Sequence, residues 1–281
     1  MVKNNMKIDK HLFCFGFGYV AKELAKSLKD WKISGTHTNS RELGKGDYLL
    51  NNDSDFDLTI LNDVTHILIS IPPTEDGDLV YLRFIKSIKA LQKLQWIGYL
   101  SSTSVYGDHN GEWVTENSLT DSNGYLGRNR LIAENQWLQS GLPVNIFRLA
   151  GIYGPGRSSV DAVKNGKALR IFKEGHYFSR IHVEDIAMIL QEVINNPKLA
   201  EIYNIADDMP SPQHEVISFI CDLMGVEAPK MIDFSDAELS ETMKHYYNSS
   251  KRVSNAKIKN DYNIKLKFPS YKEGHITPHF H

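Results

Sequence analysis

The opening of the chain constrains its fold most. His11-Leu-Phe-Cys-Phe15 carries four apolar residues in five, the pattern of a strand buried on both faces. Gly16 and Gly18 follow, then an apolar stripe of helical spacing at Val20, Leu24, Ala25 and Leu28. In a strand–turn–helix of this kind each small residue has a mechanical task. Gly16 permits the tight turn off the strand, Gly18 lets the main chain approach a pyrophosphate, and Ala21 keeps the helix close to the sheet. The helix N-terminus offers free N–H groups and a positive dipole end to an anion. A G-x-G-x-x-A spacing between a buried strand and an amphipathic helix therefore predicts a dinucleotide site at Gly16, Phe17, Gly18, Tyr19 and Val20.

Bulk properties narrow the remaining choices. A chain of 281 residues suffices for one large α/β unit, or for a nucleotide domain with a smaller companion. The formal charge of −2 gives nucleic acid or an anionic membrane nothing to grip, so neither is expected as a partner. No apolar run approaches the roughly 20 residues that cross a bilayer. The first ten residues are polar and lack the apolar centre of a secretory signal, which points to the cytoplasm. Cys14 and Cys221 are too few for a disulfide framework and read as buried thiols.

Further along, residues 32–36 read as the second strand. An Asp or Glu at its end would hold the ribose 2′-OH of NAD. This chain has Thr36-His37-Thr38-Asn39-Ser40-Arg41 there, with Lys45 beyond. No carboxylate in that run repels a 2′-phosphate, and Arg41 or His37 can meet one, so NADP is expected over NAD. Residues 47–50 form a short third strand, and 66–71 a buried strand stopped by Pro72-Pro73. Leu79, Leu82, Ile85, Ile88, Leu91 and Leu94 trace one face of a long helix. Strands at 96–100 and 144–149 flank a helix over 126–140. This alternation predicts an α/β fold, a Rossmann-type doubly wound parallel sheet with a small C-terminal lobe.

From Gly151 the texture turns to Gly, Pro, Ser and Arg. A strand at 177–181, a helix at 183–194 and a strand at 202–205 are expected to return to the sheet. That makes 1–150, rejoined by 178–206, the dinucleotide domain. The remainder of 151–281, mainly 151–177 and 207–281, is the substrate lobe. Ser211 and Pro212 read as the N-cap and first residue of a helix stopped at Gly225, and Ser235-Asp-Ala-Glu238 as a capping box. Asn110-Gly111 suits the type I′ turn of a hairpin over 108–113. His182 reads as structural and Asp185 as a first-turn helix charge. His275, His279 and His281 read as a fraying terminus without metal-site spacing, so no metal is expected.

Four signatures stand in order along the chain. They are G-x-G-x-x-A at 16–21, Ser101-Ser-Thr-Ser-Val-Tyr-Gly107, Arg148-Leu-Ala-Gly-Ile-Tyr-Gly-Pro-Gly156 and Arg180-Ile-His-Val-Glu-Asp-Ile-Ala187. Together they resemble the extended short-chain dehydrogenase/reductases, the NAD-dependent epimerase/dehydratase group, over nearly the whole chain. The tail Lys251-Arg-Val-Ser-Asn-Ala-Lys257, with Phe268-Pro-Ser-Tyr-Lys-Glu-Gly274, is similar to an atypical subgroup of that superfamily.

The resemblance implies NAD(P)-linked reduction or epimerisation at a carbinol or carbonyl carbon. The default substrate is a sugar nucleotide, although the small lobe suits a smaller one. The resemblance also implies that Ser102 binds the reacting oxygen, that Tyr106, Arg157 and Arg180 meet the substrate, and that Thr38, Arg41, Ser70 and Pro72 complete the cofactor site. Dimerisation through the helices at 78–94 and 126–140 is carried by the resemblance alone. The group's Tyr-x-x-x-Lys pair is absent: Leu126 stands for the tyrosine and Arg130 for the lysine. Arg130 can still hold ribose hydroxyls, whereas Leu126 cannot move a proton. Tyr125 is the adjacent candidate. Thr103-Ser104 replace the Asp-Glu of the dehydratases, which argues against dehydration. Two readings follow: an oxidoreductase or epimerase with an atypical site, or a catalytically silent dinucleotide-binding sensor or partner-binding protein.

Overall fold

The computed structural model describes residues 10–44, 46–51, 56–121 and 124–276. The apolar runs become the strands of one sheet: β1 (His11–Phe15), β2 (Lys32–His37), β3 (Tyr48–Leu49), β4 (His66–Ile69), β5 (Trp96–Ser102), β7 (Val144–Leu149) and β11 (Ile202–Ile205). Their order is β11-β7-β5-β4-β1-β2-β3 and every pairing is parallel. The order reverses between β1 and β4, and it is at such a switch point that a crevice opens beyond the carboxyl ends of the strands.

Alternation along β1 splits the core into two layers. Leu12 and Cys14 face α1 (Tyr19–Ser27) and α5 (Val183–Asn195), while Phe13 and Phe15 face α2 (Leu79–Lys89) and α3 (Tyr125–Leu138). Both cysteines are buried free thiols, as expected. Three two-stranded parallel ladders lie outside the sheet. They pair β8 (Gly151–Tyr153) with β10 (Arg180–His182), β9 (Arg170–Phe172) with β12 (Met231–Asp233), and β6 (Trp113–Val114) with β13 (Arg252–Val253). The C-terminal helices are α4 (Ser159–Lys164), α6 (Gln213–Met224), α7 (Glu241–Tyr247), α8 (Ala256–Tyr262) and α9 (Tyr271–His275). Among the described residues no helix is long and apolar enough to cross a membrane.

Several local expectations are corrected. The α2 stripe drawn from Leu79 and Leu82 has three-residue spacing, which slides around a helix of 3.6 residues per turn. The buried face is instead Val80, Phe84 and Ile88 at four-residue spacing, and Leu82 is half exposed. The strand at 177–181 is confined to β10 and pairs with β8, so within 177–205 only β11 rejoins the sheet. Ser211 does not cap α6; its hydroxyl donates to the Met209 carbonyl and its backbone pairs with Phe178. Gly225 does stop α6, with φ +66°. No α-helix opens at Ser235, since α7 starts after Ser240, whose hydroxyl accepts from the Met243 amide.

The turn at Asn110-Gly111 has φ positive at both residues, as type I′ requires, yet it closes no hairpin. The strand that follows it, β6, pairs with β13, far along the chain. Asp185 is fully buried, and its carboxylate accepts from the Lys267 and Phe268 amides at 2.7 and 3.0 Å. It is a clamp on the C-terminal segment rather than a surface helix charge. His275 is also buried, stacked on Tyr153 with centroids 5.2 Å apart; His279 and His281 lie outside the described residues. His182 is structural as expected, with its ring 3.9 Å from that of Phe268.

Candidate functional site

The glycine turn is held by the strand beside it. Gly16, with φ +88°, donates its amide to the Thr36 hydroxyl at 2.9 Å, and the Phe17 amide donates to the Thr36 carbonyl at 2.8 Å. The Gly18 amide returns to the Gly16 carbonyl. These three amides are spent inside the loop, so the donors left for an anion belong to Tyr19 and Val20 in the first turn of α1. Gly18 is the N-cap and offers no side-chain cap. A Cβ placed on Gly18 meets no protein atom within 4 Å, whereas one on Gly16 would lie 2.8 Å from the Ser70 hydroxyl. Gly16 is thus required by the protein's own packing, and Gly18 faces open space. The Ser70 hydroxyl, one residue past β4, donates to the Gly16 carbonyl at 2.5 Å and braces the turn.

A cleft of about 560 Å³ opens at this edge of the sheet. Gly18, Tyr19, Val20, Ser70 and Pro72 form one end, and Ser101, Ser102, Thr103 and Ser104 lie along its floor. Arg157, Tyr177 and Phe178 also line it, joined by Ser249 and Lys251 from the C-terminal segment. From α3 come Asn129 and Arg130. Arg130 donates Nη1 to the Leu100 carbonyl at 2.7 Å, which fixes its fork over the end of β5. Asn129 is buried, and its Nδ2 has no hydrogen-bond partner among the described residues. A buried donor with no protein acceptor is costly unless a ligand or water supplies one. The uncapped helix, the open space at Gly18 and the orphaned Asn129 amide together fit a dinucleotide.

The structure brings Ser102, Arg130 and Arg157 into the cleft with the glycine loop. The Ser102 hydroxyl accepts from the Ser104 amide at 3.1 Å and is half-buried. The Tyr125 side chain, like that of Leu126, lies outside the described residues. Thr38 and Arg41 are exposed just past β2, Arg41 in a 3-10 turn whose amide the Asn39 side chain accepts. His37 is not available to a ligand, because it is buried against Asp47, Nε2 to Oδ2 being 3.0 Å. Its Nδ1 lies 3.5 Å from Glu42, so two carboxylates approach the end of β2 that the strand's own sequence does not carry.

Two substrate expectations are overturned. Tyr106 is buried, donates its hydroxyl to Asn204 at 2.6 Å and accepts from Arg148 at 3.0 Å. Arg148 in turn grips Glu134 through Nε and Nη2, and Glu134 accepts from the Ser101 hydroxyl at 2.5 Å. The tyrosine therefore belongs to a polar network beneath the floor and has no hydroxyl to spare for a substrate. Arg180 lies outside the cleft. Its guanidinium donates to the Phe178 and Ser211 carbonyls and to the Gln213 side chain, which ties it to the protein's own groups.

No family model matches the chain. Protein YeeZ of Escherichia coli (strain K12) is 30% identical over 251 residues, which span 81% of this chain and 89% of that protein. The chain belongs to the YeeZ family. A functionally unknown conserved protein from Silicibacter pomeroyi DSS has 38% identity and a TM-score of 0.88, with 95% of this chain and 96% of that one covered. UDP-glucuronic acid 4-epimerase from Bacillus cereus, solved with NAD, superposes at TM-score 0.73 with 17% identity over 94% and 96% of the two chains. The YeeZ-family chain thus has the fold of the extended short-chain dehydrogenase/reductases, with its NAD-dependent epimerases and dehydratases.

One cleft residue of this YeeZ-family chain escapes a reading of the sequence for chemistry. Lys251 is only 8% exposed, and its ammonium donates to the Gly107 carbonyl at 2.8 Å and the Ser249 hydroxyl at 2.7 Å. Burial pulls its pKa down from 10.5 to about 8, with Asp108 partly opposing the shift. The signal was the Lys251–Lys257 string itself, whose resemblance to the atypical subgroup carries no residue role.

Proposed function

We propose that this protein binds a nicotinamide dinucleotide along the carboxyl edge of the sheet, NADP in preference to NAD. It uses that cofactor to reduce or epimerise a carbinol or carbonyl carbon. The observation that carries the reading is the uncapped N-terminus of α1, opening on the cleft at a glycine whose missing side chain the protein does not need. In this reading the Tyr19 and Val20 amides hold the pyrophosphate, Arg130 and Asn129 the ribose on the nicotinamide side, and Thr38 and Arg41 the 2′-phosphate. Gly16, Phe17, Ser70 and Pro72 shape the loop around them. When bound, the dinucleotide supplies or accepts a hydride.

Ser102 binds the reacting oxygen, and Arg157, exposed at the cleft, meets an anionic group of the substrate. The lobe of 151–177 and 207–281 covers the substrate. Neighbours of the same fold support the reading: MoeE5 is solved with UDP-glucose and NAD, and the Bacillus cereus epimerase with NAD. A sugar nucleotide or a smaller carbonyl compound is the substrate class.

The NADP preference rests on the exposed Thr38 and Arg41 and on the engagement of Asp47 by His37 and the Gly44 amide. Thermal unfolding with NADPH and with NADH tests both parts. NADPH is expected to raise Tm more than NADH, and Arg41→Ala to narrow the gap. Equal shifts refute the preference, and no shift with either refutes the cofactor. Gly18→Ala is expected to leave the free protein within about 0.5 kcal/mol, because its φ of −92° suits any residue, yet to abolish the nucleotide shift. Leu126, which cannot carry a proton, favours the second reading of a silent sensor. That reading requires nucleotide binding without turnover of any carbonyl or sugar-nucleotide probe.

A further inference from the structure

We propose that the side-chain amine of Lys251 exchanges a proton with the reacting oxygen, taking the part that Leu126 on α3 cannot. The inference rests on the nicotinamide reading for its reductant, and on the geometry of the cleft for everything else.

Lys251 lines the cleft with Ser102 and Arg130. It comes from a part of the chain remote from α3, and its backbone is fixed on both sides. The preceding Ser250 amide donates to Asp108 at 2.7 Å, and the following Arg252 and Val253 pair with β6. The anchor of the amine is tied to the floor. Gly107, whose carbonyl accepts from Nζ, donates its own amide to the Ser104 carbonyl, and the Ser104 amide donates to the Ser102 hydroxyl. The amine and the hydroxyl proposed to bind the reacting oxygen are therefore hung on the same short turn.

The two contacts of Nζ go to neutral oxygens, and among the described residues no carboxylate forms an ion pair with it. A tetrahedral nitrogen with two N–H bonds committed has one position left. In the ammonium that position is a third N–H, and in the amine it is a lone pair, so either state keeps both anchors. Gaining or losing the proton costs no rearrangement. The charged and titratable groups around it do not pin the ammonium. Asp108 is the carboxylate that raises its affinity for the proton, and its Oδ1 already accepts from the Ser250 and Asn110 amides. His176 is held neutral by burial, with a pKa near 4. Arg130, Arg157, Tyr19, Tyr177 and Tyr246 share the cleft, and among the described residues no carboxylate lines it. Burial then leaves the amine poised near pH 8.

In the reductive direction the carbonyl carbon takes a hydride and the C=O π pair moves onto oxygen. That oxygen takes the proton from Nζ: the N–H bond breaks and an O–H bond forms. The carbonyl is reduced, the dinucleotide is oxidised, and the neutral amine regains a proton from water. Oxidation reverses each transfer.

The deciding experiment labels the ligand-free full chain with limiting acetic anhydride across the alkaline range, read lysine by lysine by mass spectrometry. Lys251 is expected to titrate near pH 8, against roughly 10.4 for ordinary exposed lysines. Titration with the exposed lysines, or no reaction at any pH, overturns the proposal. NADPH oxidation by the carbonyl probe phenanthrenequinone supplies the second readout. Lys251→Arg keeps the charge but holds its proton throughout, and Lys251→Met guards against a variant that misfolds. Both are expected to lose about 100-fold in turnover, together with any inflection near pH 8, while keeping the NADPH thermal shift. Turnover and inflection that survive in either variant assign the proton elsewhere and overturn the proposal. Loss of the NADPH shift in the unaltered protein would instead remove the cofactor reading, leaving the labelling result to stand or fall by itself.

Discussion

Arg148 and Lys251 are both buried cations close to one cleft, and the protein treats them in opposite ways. Arg148, beneath the floor, is matched by a carboxylate: Nη2 lies 2.7 Å from Glu134, with side chains 5% and 2% exposed. Glu134 Oε1 also accepts from the Ser101 hydroxyl, and Arg148 Nη1 donates to the Tyr106 hydroxyl, which completes the network. Lys251, in the wall, is matched only by a carbonyl and a hydroxyl. The first arrangement locks a charge in place and ties β5, α3 and β7 together. The second leaves the charge negotiable. Burial alone does not make a basic group reactive; what it is buried against decides.

The contrast can be broken most forcefully at Glu134. Glu134→Ala leaves the Arg148 guanidinium buried without its counter-charge and is expected to cost roughly 3–5 kcal/mol, read from urea denaturation. A loss below about 1 kcal/mol would mean that the pair is not the structural lock described.

Next in size is the pH response of Lys251. The folded chain releases this proton near pH 8, whereas the ordinary value is 10.5, so the unfolded state binds more protons between the two. Stability contributed at this site therefore rises as pH climbs from 8 to 10.5. The full effect is on the order of 3 kcal/mol, from about 1.36 kcal/mol per pKa unit. Below pH 8 the buried ammonium is a burden, and Lys251→Met is expected to match or exceed the unaltered protein there. Above it, the unaltered protein gains on the variant. Parallel denaturation series of the two proteins check this, and identical pH responses would erase the contrast.

The smallest expected effect sharpens it. Ser249→Ala removes one neutral acceptor and should cost about 0.5–1.5 kcal/mol, while moving the Lys251 titration further down because the ammonium loses a partner. An upward shift in the labelling midpoint would show that Ser249 does not serve the charged form.

The same two residues show what the sequence could and could not say. The strand, glycine turn and helix of 11–28 were legible because their logic is local: apolar run, small residue, helical stripe. Within that stretch one detail needed revising, since the donors left for an anion are the Tyr19 and Val20 amides, one step beyond the spent glycine amides. Ser102 and Arg130 were legible through an ordered set of motifs, and both reach the cleft. Tyr106 and Arg180 were misassigned because a motif cannot say which way a side chain turns. Tyr106 turns to Asn204 on β11, ninety-eight positions away, and Arg180 to loop carbonyls. Lys251 stood in plain view in the Lys251–Lys257 string, but the resemblance of that string gave no residue in it a role. Its burial is created by the ladder between β6 and β13, a contact that no local pattern announces.

That ladder has a consequence in time. Ribosomes deliver residues 113–114 long before 252–253, so the sheet, the glycine turn and the floor at Ser102 can all take shape while the wall bearing Lys251 is still untranslated. A chain made only as far as β11 could already grip a nucleotide in the proposed reading and yet would have no Lys251 amine in reach of it, which postpones the proposed proton transfer until residue 251 has been made.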